Sequence, residues 1–235
     1  MNGLPPDPAP RRALCSFPVW LVGSAFAALI VLLSGCGAVA VPVTDPFGLD
    51  EAQVRLELRR GPPLMSLAPA AVDGSGQVTV AFDDWDTPDL PFQPGRLANE
   101  LTVATADLDA GADDAPAKIT LTDVDVDVWL WHGAAEPDAA AQTVHVRLSD
   151  LGPITLTRGA CTADACSYSY GGGAPAFGNL QVTGSAFSTA YTIVTQAPEP
   201  NRVRVAVTVQ AEPEDALDGR NLTVTLGAEK GSIGF

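Results

Sequence analysis

Val203-Arg204-Val205-Ala206-Val207-Thr208-Val209 carries a valine at every second position, with polar or small residues between. Successive side chains of a strand point to opposite faces, so a period of two marks a strand with one buried side. A helix would scatter these valines around its circumference. The same alternation recurs outward in both directions: at Val54, Leu56 and Leu58; at Val78, Val80 and Phe82; at Val144, Val146 and Leu148; at Ile154 and Leu156; and at Leu222, Val224 and Leu226. Turn signals separate the runs, among them Gly61-Pro62-Pro63, Gly152-Pro153 and the glycines of residues 171–173. No stretch beyond residue 36 shows a convincing helical period. About ten short strands with such breaks predict an all-β fold, an antiparallel β-sandwich of Ig-like or jelly-roll layout. Residues 50–235 are expected to form it, as one domain or at most two small ones. Residues 36–49, punctuated by Pro42 and Pro46, read as a tether.

Residues 118–132 break the pattern. Ile119 and Leu121 hold the odd phase, whereas Val124, Val126, Val128 and Leu130 hold the even one. Either a bulge near Thr122 and Asp123 re-aims one strand, or two strands meet there. The face opposite the valines then reads Asp123, Asp125, Asp127, Trp129, Trp131. Two indoles two residues apart form a candidate apolar platform bordered by acid, a pattern that resembles sugar-binding modules built on β-sandwiches. The five residues are the candidate ligand-binding set for a glycan or an envelope protein. The competing reading covers both indoles with a loop or second sheet and bonds their N–H groups to backbone carbonyls. Trp85, beside Asp83, Asp84 and Asp86, either extends this surface or caps a strand end.

Asp107, Asp109, Asp113 and Asp114 alternate around Gly111 and make a weak calcium candidate, since hard cations take oxygen ligands. The spacing departs from an EF-hand, with Gly111 where a ligand belongs and Ala112 where the glycine belongs, so a solvated turn is the plainer reading. No other cofactor is suggested. Catalytic constellations are poorly supplied: His132 and His145 are the two histidines, and no Ser sits in a Gly-x-Ser-x-Gly elbow. A non-enzyme is expected. A hydrolase would need an aspartate approaching His132 or His145 in a pocket.

The N-terminus carries Arg11 and Arg12, then an apolar run from Phe17 to Leu33, then Leu33-Ser34-Gly35-Cys36. Those are the parts of an export signal. The last four residues resemble the lipobox of bacterial lipoprotein signals: branched apolar, small, glycine, cysteine. The resemblance implies a signal peptide over 1–35, cleavage before Cys36 and a lipid on its sulfur. The body would then sit in the cell envelope, outside the inner membrane, anchored to a membrane by several acyl chains, one alone being marginal. Of the four cysteines, Cys15 would leave with the signal and Cys36 would take the lipid. Cys161 and Cys166 remain to form a small disulfide loop, as an oxidising compartment permits. The formal charge of the whole chain is −15, and removing Arg11, Arg12 and Asp7 makes the remainder one unit more negative. Nucleic acid is therefore excluded as a partner, since no basic patch exists to release its counterions.

Overall fold

The computed structural model describes residues 40–61, 71–85, 95–170, 176–195, 200–227 and 229–234. The expected signal peptide and Cys36 lie outside the described residues. Among those described, the chain forms an antiparallel all-β, sandwich-like fold. β4 (Arg96–Leu108), β11 (Asn221–Leu226), β2 (Gln53–Arg60), β3 (Val72–Phe82) and β10 (Asn201–Glu212) pair in that order. The ladder continues through β5 (Lys118–His132), β7 (Ile154–Cys161) and β8 (Cys166–Tyr170). β8 then pairs back onto β4, with Ala106 opposite Tyr168 and Leu108 opposite Cys166, so the ladder closes into a ring.

Closure holds at one end of the molecule. Toward the other end, the first half of β4 lies between β12 (Lys230–Gly234) and β9 (Ala176–Thr183), and β12 carries β1 (Ala40–Thr44) on its far edge. The second half of β5 pairs with β6 (Thr143–Leu151) instead of β7. Two sheets therefore face each other there, β1-β12-β4-β9 and β6-β5-β10-β3.

Both long strands change partner where their burial phase slips. In β5, Ile119 and Leu121 are buried in one phase and Val124 to Leu130 in the other. Asp123 absorbs the slip at φ 47°, a left-handed conformation that aspartate tolerates better than most residues. The strand is thus continuous and bulged. β4 does the same, burying Leu97, Asn99 and Leu101 and later Ala106 and Leu108, and its ladder to β11 shifts between Thr225 and Leu226. A third adjustment comes at Gly76, where a Cβ would stand 2.1 Å from the Arg55 carbonyl oxygen as β2 leaves β3 for β11.

Among the described residues two interior voids are small. At the closed end Leu56, Leu121, Val205, Val207, Val224 and Leu226 surround a void of about 10 Å³, and near the split end Phe47, Leu97, Val128, Leu180 and Val203 surround another of about 10 Å³. Each is at or below the room a single water needs.

Two segments seal the split end, and both depart from expectation. Helix α1 (Gly184–Val194) buries Phe187, Ala190, Ile193 and Val194, three or four residues apart apart from the last pair. Three of its hydroxyls bond back within the helix, as Ser188 donates to the Gly184 carbonyl (3.4 Å), Thr189 to that of Ser185 (3.2 Å) and Thr192 to that of Ser188 (2.9 Å). A one-turn helix, α2 (Glu214–Leu217), follows β10. The second seal is residues 40–49, which belong to the folded body, not to a tether: β1 pairs with β12, and Phe47 and Leu49 are only 2 % and 1 % exposed. Phe47 packs on Phe82 and Trp85 at 5.4 and 5.7 Å between ring centroids. Trp85 ties the two seals together: its backbone N–H donates to Val194 O (2.6 Å) and its Nε1–H to Pro46 O (2.7 Å). It caps a strand end, away from the aspartate-rich face.

Candidate functional site

With the core full, the reactive side chains lie on the outer face of β6-β5-β10-β3. Pairing aligns them in rows across the strands. His145, Trp129, Arg204 and Thr79 form one row, and Arg147, Asp127, Ala206 and Gln77 the next. The Trp129 and His145 rings stack at 4.6 Å between centroids and 6° between planes. His145 Nε2 contacts Asp127 Oδ1 at 2.7 Å, and Arg147 donates to Asp125 Oδ2 at 2.5 Å. These diagonal pairs make a charge ladder along β5 and β6.

Trp131 does not join Trp129 in a platform. It is 1 % exposed, because the loop after β5 folds over it. Its Nε1–H donates to Ala135 O at 2.7 Å, and the Arg204 guanidinium lies over its ring at 5.5 Å while bonded to Glu136. Arg202 pins the same loop by donating to Gly133 O at 3.0 Å. A buried indole needs a partner for its N–H, and the loop backbone supplies it. Trp129 alone of the pair remains half-exposed, with one face against His145.

Beyond Asp125 the face opens into a groove of about 520 Å³ at the closed end, lined by Glu57, Arg59, Asp73, Ser75, Asp123 and Gln210 among others. Gln210 is the reference point, opposite Asp73 on β3 and Thr122 on β5. Sequence reasoning singled out Asp123 but missed Asp73 and Gln210. Their signal was the register between β3, β5 and β10, which no local pattern carries.

Two of the four calcium candidates are engaged by the chain itself. Asp109 accepts from the Asn221 backbone and side-chain N–H groups, both at 2.7 Å, and Asp114 pairs with Arg220 at 3.3 Å. Asp107 is an exposed residue of β4, and Asp113 stands exposed in the turn. Among the described residues no group of three or more His, Cys, Asp or Glu is arranged to hold a metal ion. His132 Nδ1 meets Asn201 Oδ1 at 2.9 Å.

Cys161 and Cys166 are joined by a disulfide across the β7–β8 hairpin. Thr162 and Ala165 close the turn between them through backbone and side-chain hydrogen bonds.

One buried ionisable group was not anticipated. Glu229, 2 % exposed between β11 and β12, is pushed up to about 7 by burial first and by its hydrogen bond with Asp45 second, against the donors that favour its charge.

No protein-family model matches the chain, and no curated protein matches it. Among the described residues no helix is long and apolar enough to cross a membrane.

Proposed function

We propose that this protein is a cell-envelope lipoprotein, anchored through a lipid on Cys36 outside the inner membrane, with a non-catalytic binding or structural role exerted by the outer face of β6-β5-β10-β3. The anchor rests on the Leu33-Ser34-Gly35-Cys36 motif at the end of an apolar run. The role rests on one observation above others: among the described residues the outer face carries a groove of about 520 Å³, whereas the two interior voids are of about 10 Å³ each. The histidines favour a non-catalytic reading, as His145 is held between Asp127 and Trp129 and His132 is bonded to Asn201. A nucleophile-activating histidine would instead contact a Ser or Cys side chain. Partners of this reading are the membrane, through the anchor, and a glycan or envelope protein on the outer face. A glycan would meet Trp129, Asp125 and Asp127 and the groove beside Asp123, while Trp131 supports the wall from below.

The test has two arms. Intact-mass analysis of the protein from a bacterial host should find a chain beginning at Cys36 and heavier by a lipid, and Cys36→Ser should release it from membranes. A chain retaining residues 1–35 with an unmodified Cys36 contradicts the anchor. Tryptophan emission titrated with cell-wall glycans should respond through Trp129 and lose the response in Trp129→Ala; a response lost only in Trp131→Ala contradicts the assigned face.

A further inference from the structure

The sheet β1-β12-β4-β9 has an outer face of its own. Burial alternates along its strands, so Leu97, Asn99 and Leu101 of β4, Ile233 of β12 and Leu180 and Val182 of β9 point inward. Register then sets three rows across the opposite side: Ala40, Gly234, Arg96 and Thr183; Pro42, Ser232, Ala98 and Gln181; Thr44, Lys230 and Glu100. Among the described residues this face carries two cations and one anion, a formal charge of +1, in a chain of −15. Its cations are also unengaged. On the other sheet Arg147 is paired with Asp125, Arg204 with Glu136, and Arg202 is bonded to the Gly133 carbonyl. Among the described residues neither Arg96 nor Lys230 makes a side-chain ion pair or hydrogen bond. The Arg96 side chain lies along the sheet over Gly234, where a Cβ would stand 3.1 Å from its Nε.

We propose that the outer face of β1-β12-β4-β9 docks on anionic lipid headgroups through Arg96 and Lys230, which turns the face of β6-β5-β10-β3 away from the membrane. This docking rests on the lipid at Cys36 proposed above. Four residues separate Cys36 from Ala40, so their Cα atoms are at most about 14 Å apart. Ala40 shares a row with Arg96, two strand spacings or about 10 Å away. A lipid on Cys36 therefore enters the membrane within reach of that guanidinium, and β1, which leads to it, is the edge strand of the docking sheet.

Charge selects the occupant and the orientation together. An anionic lipid surface repels a body of net charge −15, least where carboxylates are few and cations stand free. Each basic residue close to such a surface favours contact about fivefold. The outer face of β6-β5-β10-β3 meets neither condition, with Asp73, Asp123, Asp125 and Asp127 on it and Arg147 and Arg204 already paired. A second copy of the chain brings the same negative charge and is disfavoured by it. The outer faces of two packed sheets point in opposite directions, with about 10 Å between the sheets. Screening in physiological salt acts over about 8 Å. The membrane therefore acts on Arg96 and Lys230 and little on Trp129 and the groove, which stay open to a partner.

The test places the full lipidated chain in vesicles of phosphatidylglycerol and phosphatidylcholine that carry a nitroxide on the headgroup, which quenches a fluorophore only on close approach. One protein is labelled through Gln181→Cys on the docking face and another through Gln77→Cys on the opposite face, both residues being exposed. Quenching of the 181 label should exceed that of the 77 label about fivefold or more. Added salt, or phosphatidylcholine alone, should shrink the excess. Arg96→Gln with Lys230→Gln should remove most of it. Equal quenching, stronger quenching of the 77 label, or an excess unmoved by the double substitution overturns the docking face. If the double variant does not fold, Glu100→Gln, which removes the one anion, must enlarge the excess, and a constant or smaller excess overturns it too. A 181 label already shielded in a dimeric chain in detergent assigns the face to a second copy, against the proposal. Intact mass of the same samples separates the anchor from the orientation. A lipidated chain with equally quenched labels loses the orientation alone, whereas a chain without lipid on Cys36 loses the anchor and the orientation with it.

Discussion

The closed and split ends of the molecule are sealed by different chemistry. At the closed end β4, β11, β2, β3, β10, β5, β7 and β8 pair around a full circuit, and aliphatic side chains fill it. At the split end the sheets part, and the gap is covered by a helix rich in Ser and Thr and by a segment held through Phe47, Leu49, Trp85 and one buried carboxyl. Hydrophobic burial is insensitive to pH, whereas a seal that hangs on a carboxyl answers to it.

The comparison is most severely tested by Leu121→Ala, which removes a side chain from the filled ring. It should lower unfolding stability by about 2–5 kcal/mol in a urea titration. A loss under about 1 kcal/mol would mean the ring is not the stability centre. Next in size is the pH dependence of the split end. With Glu229 at 4.5 unfolded and about 7 folded, stability should be greatest at or below pH 4.5 and fall by about 3 kcal/mol as pH rises through 7. Glu229→Gln should flatten this curve in pH-resolved denaturation, and an unaltered curve would assign the dependence elsewhere.

A smaller effect is expected from the disulfide. Replacing Cys161 and Cys166 by Ser opens a six-membered loop of residues and should remove about 2 kcal/mol, read as a lower melting temperature. Least is expected on the outer face, where Arg147→Ala breaks an exposed pair with Asp125. That change should cost about 0.2–1 kcal/mol and fade with added salt. A larger loss would favour a structural ladder over the proposed recognition role for this face.

The two ends also differ in how far the sequence discloses them. The ring follows from alternation, because Val203 to Val209 and Leu222 to Leu226 have their buried faces written in period two. The phase slip before Val124 left two readings open, a bulge or a meeting of two strands, and the structure resolves it as the bulge at Asp123. The equivalent slip in β4, from Leu97 and Leu101 to Ala106 and Leu108, was present in the sequence and passed unread. Helix α1 was hidden because Ser, Thr and Gly are weak helix formers, and its four buried residues acquire meaning only against β5, β6 and β9. Residues 40–49 read as a tether because Pro42 and Pro46 suggest an unpaired chain, yet β1 is an edge strand, where proline is tolerated. On the outer face the composition of β5 was legible. That Trp131 would be roofed by residues 133–136, that Asp73 would share a groove with Asp123, and that Glu229 would be buried are facts of tertiary register.

Native-state hydrogen exchange across the whole chain tests the contrast most directly. Amides of Leu121, Val205 and Val224 should exchange only through global unfolding, while those of Phe47, Leu49 and Trp85 should exchange through a smaller opening whose free energy falls as pH rises through 7. A single opening energy for both ends, or a ring that opens before the cap, would contradict the account.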